Sequence, residues 1–147
     1  MNEDYRDFIA ALLDVHARFL IVGAHALAAH GVPRATVDLD VWVEATPDNV
    51  RRVWHALAAF GAPLESLNIS EADLLQPDMV AQFGMPPNRI DVLTGVSGLE
   101  FPAAWADRME SNFGGLRAPF LGRKSFIQNK RASGRLKDLA DIEALGG

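Results

Sequence analysis

Between residues 4 and 43 the spacing of apolar side chains changes three times, and that switching predicts the class of fold. Residues 4–17 place Tyr5, Phe8, Ile9, Leu12, Leu13 and His16 three and four apart, the stripe of an amphipathic helix. Phe19, Leu20, Ile21 and Val22 then form an unbroken apolar run closed by Gly23, which reads as a buried strand. The Ala-rich stretch 24–30 ends at Gly31 as a short helix does. Beyond Pro33, Val37, Leu39, Val41 and Val43 alternate with Asp38, Asp40 and Trp42, the period of a second strand. The expected class is α/β (α+β), a short mixed sheet flanked by helices.

The remainder continues the mixture. Thr46-Pro47-Asp48 is a helix start, and Val50, Val53, Trp54, Leu57 and Phe60 form the buried stripe that Gly61 ends. Short helical turns are expected near 70–75. Residues 79–83 and 89–93 read as an antiparallel pair joined by 84–88, and 112–121 as a hairpin around Gly114-Gly115. Helices are expected at 101–108, 124–132 and 135–145, the last two separated at Ser133-Gly134. No repeat or linker divides the 147 residues, so a single domain is expected, with 111–147 as a basic, mostly helical C-terminal segment.

Charge is unevenly placed. Residues 1–110 carry 7 basic and 16 acidic groups, whereas 111–147 carry 7 and 3. An acidic front with a basic tail suits a metal site facing an anionic substrate; a solvated basic helix accounts for the same tail. With no cysteine, thiolate metal sites, thiol nucleophiles and disulfides are excluded. The acidic start and the lack of a long apolar run give no signal peptide, no membrane span and an expected cytoplasmic location.

Chemistry is expected where the acids are. Asp38 and Asp40, at i and i+2 of a strand, leave the same face about 6.6 Å apart, so both can ligate one or two hard cations. Asp91 lies between two apolar neighbours in a later strand, and three such acids can converge. Two magnesium ions stabilise the attacking and leaving oxygens in phosphoryl transfer, and a third carboxylate can accept the proton of an attacking hydroxyl. The Gly23 turn lets backbone approach phosphate oxygens. Phosphate-loop, nucleophile-elbow, zincin and Rossmann motifs are absent.

The run Val22-Gly23-Ala24-His25-Ala26-Leu27, followed by His30-Gly31, Arg34, Thr36, Asp38 and Asp40, resembles the polymerase beta-like nucleotidyltransferase superfamily. More narrowly it is similar to the minimal bacterial branch related to AbiEii-type toxins of toxin–antitoxin systems. The resemblance extends to Asp91 as third carboxylate and to the lysines of residues 129–141, and so covers most of the chain. It implies the nucleotidyltransferase fold, with Asp38, Asp40 and Asp91 as catalytic and metal-binding residues for two Mg2+. Gly23, Ala24, Arg34, Thr36, Lys130 and Lys137 would bind the nucleoside triphosphate. It also implies transfer of a nucleoside monophosphate to a hydroxyl on RNA, tRNA-like, or on protein, with a cognate toxin or antitoxin as partner. Ala24 departs from the Gly or Ser usual at the second turn position and supplies no hydroxyl.

Other readings stand beside these. Asp91 can pair with Arg89 or Arg34; Lys137 can pair with Asp141; Asp138 and Asp141 share a face that anchors the last helix; the tryptophans read as core, although Trp42 shares the aspartate face. For the whole chain, the alternatives are a catalytically silent nucleotidyltransferase-like module binding a protein partner or nucleotide, and a basic-tailed nucleic-acid binder without chemistry.

Overall fold

The computed structural model describes residues 1–32 and 38–146. Arg34, Thr36 and Val37 lie outside them. In chain order the elements are α1 (Glu3–Asp14), β1 (Phe19–Val22), α2 (Gly23–Ala29), β2 (Leu39–Val43), α3 (Pro47–Phe60), α4 (Leu64–Leu67), a 3-10 turn (Asp73–Leu75), β3 (Val80–Phe83), β4 (Ile90–Leu93), α5 (Phe101–Ala106), β5 (Met109–Phe113), β6 (Leu116–Phe120), α6 (Arg123–Ser133) and α7 (Leu136–Ala144). The expected elements are therefore present. The hairpin begins earlier than its sequence signal, at Met109, and the four-residue α4 has no periodic pattern to announce it.

Six strands form one mixed sheet in the order β3-β4-β2-β1-β6-β5. β1 runs antiparallel to β2 and parallel to β6, while β2 runs parallel to β4. The outer pairs, β3 with β4 and β5 with β6, are antiparallel hairpins. Strands covered on both faces need apolar residues at consecutive positions. Accordingly all four residues of β1 are buried, as are Leu39, Val41, Trp42 and Val43 of β2.

α1 and α3 pack together; α1 buries Tyr5, Phe8, Ile9 and Leu12, and α3 buries Val50, Val53, Ala56 and Leu57. Phe8 meets Phe60 and Phe83 edge-on at 5.4 and 5.7 Å. Burial of such side chains contributes roughly 1.5–3 kcal/mol each, so this layer fixes where the N-terminus of α1 falls. Thr46 takes the N-cap position of α3 without a side-chain capping bond, and Gly61 ends that helix at φ 91°.

The start of α1 is tied to the segment before β4. Asn2 caps α1 through Oδ1, accepting from the Tyr5 backbone N–H, while its Nδ2 donates to Asn88 Oδ1 at 2.7 Å. Tyr5 Oη donates to the Pro87 carbonyl at 2.9 Å. The entry to β4, and with it Asp91, is thus positioned by the first turn of α1.

Candidate active site

Asp40 and Asp91 are register partners on the adjacent parallel strands β2 and β4, so their side chains leave the same face side by side. Asp38 immediately precedes β2. The three acids therefore gather where β2 and β4 begin. Val22, the last residue of β1, is the register partner of Asp40, and the chain turns into α2 at Gly23 with φ +68°. A Cβ placed on Gly23 would collide with Asp40 Oδ2. Glycine is required here twice over, by the left-handed backbone and by the carboxylate lying against it. The turn and the acid pair, read separately in the sequence, are one packed unit.

Negative charge concentrated in this way shifts protons. Burial first, then the charge of Asp91 and a hydrogen bond with it, then Asp38, push the Asp40 carboxyl up to about 7. Desolvation and the proximity of like charges both favour the neutral form of Asp40. Tyr5 stands beside the same acids. Its own burial, followed by the charge of Asp38, raises its hydroxyl above the usual value, which keeps it a donor. The sequence places Tyr5 only in an apolar stripe, and periodicity says nothing about where its hydroxyl points.

Arg89, two residues before Asp91, supplies the countercharge. Its Nε lies 3.2 Å from Asp91 Oδ1 and 3.5 Å from Asp38 Oδ2, and its Nη2 3.4 Å from Asp91 Oδ2. Pairing of Asp91 with Arg89 is thus realised alongside convergence of the acids. Among the described residues no group of three or more His, Asp or Glu side chains is arranged as a ready-made metal cage. The donor set is nevertheless of the chemical type a hard divalent cation takes, because all its oxygens are carboxylate.

Gly23 and Ala24 open α2 beside this cluster, and Ala24 contributes no side-chain donor. His25 packs edge-on against Tyr5 and Phe113 at 5.6 and 5.7 Å. Trp42 is buried against Phe101 with ring centroids 5.1 Å apart, which makes it core.

The C-terminal lysines have a different setting. Lys130 Nζ lies 3.2 Å from Asp138 Oδ1 and 3.5 Å from Asp141 Oδ2, and Arg135 Nε reaches Asp138 Oδ2 at 2.7 Å. Asp138 and Asp141 are 0% and 2% exposed, so they anchor α7 to α6 as their shared face implies. Arg135 above all, then Lys130, holds the Asp138 carboxyl down at about 2 against its burial. Gln128 and Asn129, next to Lys130, donate to the carbonyls of Gly98 and Ser97, beyond the far end of β4 from Asp91. Lys130 is thereby engaged in a helix clamp, and Lys137 is exposed on α7.

With this geometry in hand, a crystal structure from Thermotoga maritima, of a protein provisionally assigned as a nucleotidyltransferase, is similar to 97% of this chain and 88% of its own, with a TM-score of 0.62 and 13% identity. The fold is nucleotidyltransferase-like. No protein-family model and no curated protein matches the chain. Among the described residues no helix is long and apolar enough to cross a membrane.

Proposed function

We propose that the protein is a nucleotidyltransferase that moves a nucleoside monophosphate from a nucleoside triphosphate to a hydroxyl, releasing pyrophosphate. The observation that carries this reading is the packed unit of Asp40 and Asp91 in register with the Gly23 turn beneath them. Such a cluster of acids is costly unless a cation or a shared proton offsets it. Asp38, Asp40 and Asp91 are the side chains that would hold magnesium, which when bound supplies neutralisation of phosphate charge.

This chain's own contributions are positional. Asp91 is the carboxylate that would take the proton of the attacking hydroxyl as its oxygen bonds to the α-phosphorus and the α–β bridge breaks, with pyrophosphate as the leaving group. Tyr5 and Asn2 hold the entry to β4 so that Asp91 stays beside Asp40. Backbone N–H groups at Gly23 and Ala24, at the opening of α2, are the proposed donors to phosphate oxygens. Arg34 and Thr36 are proposed nucleotide contacts from the resemblance alone. Lys130 would have to leave two buried carboxylates to reach a phosphate, so its first role is the clamp, and Lys137 is the freer cation.

An RNA end or a protein side chain is the proposed acceptor, and a toxin–antitoxin pair the proposed setting, both from the AbiEii-like resemblance. A silent module that binds nucleotide or a protein partner is the second reading, favoured by Ala24 and by the engagement of Arg89 with two of the acids. Incubation with each α-labelled nucleoside triphosphate, magnesium and total cellular RNA or protein separates them. Label transfer that disappears in Asp40→Ala supports the enzyme; a folded wild-type protein that binds nucleotide yet labels nothing supports the silent module.

A further inference from the structure

We infer that Arg89 is the resident counter-ion of the carboxylate cluster, a guanidinium that holds Asp38 and Asp91 while the divalent cation is away and exchanges them for nucleotide phosphate when it arrives. The inference rests on the reading of the cluster as a nucleotidyltransferase metal site.

The backbone on both sides of this side chain is fixed. The Arg89 carbonyl accepts from the Leu39 N–H at 3.1 Å in the β2–β4 ladder, and the preceding Pro87 and Asn88 are held by Tyr5 and Asn2. Arg89 and Asp91, at i and i+2, leave the same face. The side chain, by contrast, is one-third exposed, so its guanidinium can rotate toward solvent without disturbing the core.

Exchange follows from oxygen lone pairs. The two contacts to Asp91 and the one to Asp38 occupy positions that a cation would need on the same carboxylates. A guanidinium and a divalent ion therefore compete for the charge of these carboxylates, and their like charges repel when both are close. Once displaced, Arg89 presents a planar fork of N–H donors beside the cluster, a shape matched to phosphate oxygens. Its effects on bare metal and on metal–nucleotide therefore have opposite signs, which a purely structural arginine does not produce.

The test is calorimetric titration of Mg2+ alone, and of Mg2+ with a non-hydrolysable nucleoside triphosphate, into wild type, Arg89→Gln and Arg89→Lys. Circular dichroism establishes that each variant is folded. Arg89→Gln is expected to bind Mg2+ alone about tenfold more tightly and the metal–nucleotide about tenfold more weakly, the scale of one charge-assisted contact. Arg89→Lys retains the charge without the fork and should keep the wild-type metal affinity while losing nucleotide affinity. In the wild type, the Arg89 Nε–Hε resonance should move on addition of Mg2+, a readout that needs no variant. Unchanged or weaker Mg2+ binding by folded Arg89→Gln overturns the counter-ion role, and unchanged nucleotide affinity overturns the exchange. Absence of Mg2+ binding in every variant and in wild type overturns the nucleotidyltransferase reading as well.

Discussion

Asp40→Asn should stabilise the protein while abolishing its chemistry. In the folded chain the Asp40 carboxyl holds its proton up to about 7, against an ordinary 3.8. Between those values the unfolded chain has released a proton that the folded chain keeps, so stability falls as pH rises across that window. At about 1.4 kcal/mol per pH unit, the span caps the cost near 4 kcal/mol. Asp40 is only partly buried, and solvent screening reduces this to about 2 kcal/mol. Asparagine keeps the shape, carries no charge and can donate to Asp91. Near pH 8, in chelator, the variant should therefore melt about 4–8 °C above wild type. The assay is thermal unfolding from pH 4.5 to 8.5 at constant ionic strength. Wild type should lose stability with rising pH, the variant should lose less, and Mg2+ should narrow the gap by stabilising wild type. An Asp40→Asn protein no more stable than wild type at pH 8, with the same pH slope, would refute the reasoning.

Four further outcomes are expected. Gly23→Ala puts a methyl into the space of Asp40 Oδ2 and a side chain at φ +68°; it should cost at least about 1 kcal/mol in urea unfolding and suppress label transfer. Lys130→Met leaves Asp141 and Asp138 short of a partner, and should lower stability by about 3 kcal/mol while leaving nucleotide affinity within about twofold in the same titration. On the acid side the stability contributed by Asp138 is present above 3.8 and lost as pH falls toward about 2, so Asp138→Asn should remove that limb of the pH–stability curve. Tyr5→Phe deletes the bond to Pro87 and should cost about 1 kcal/mol in unfolding, with slower label transfer from a loosened Asp91.

What the sequence made legible was local. The helical stripe of α1, the Pro47 start and Gly61 stop of α3 and the alternation around Leu39 and Val41 each encode an element through nearest-neighbour physics, and each is present. Pairing of strands is not local: nothing in either run says that β2 lies parallel to β4, across an intervening α3 and β3, although that crossover brings Asp91 to Asp40. The face shared by Asp138 and Asp141 is visible at i and i+3, and both are buried in the clamp. Their partner Lys130 reads equally well as a phosphate ligand, because a free lysine and a lysine enclosed by two acids look alike in one dimension. Arg89 is visible only as one of two partners for Asp91; that it also reaches Asp38 depends on the start of β2 lying beside the start of β4. The cap by Asn2 had a signal, an Asn before Glu3 and Asp4, but its second hydrogen bond to Asn88 had none.

The central claim is that the three acids act together on a metal-bound nucleotide, and calorimetric titration of each nucleoside triphosphate with and without Mg2+ tests it most directly. Saturable binding of at least one nucleotide is expected, requiring the metal and lost in Asp40→Ala. Nucleotide binding indifferent to both the metal and that substitution would contradict it.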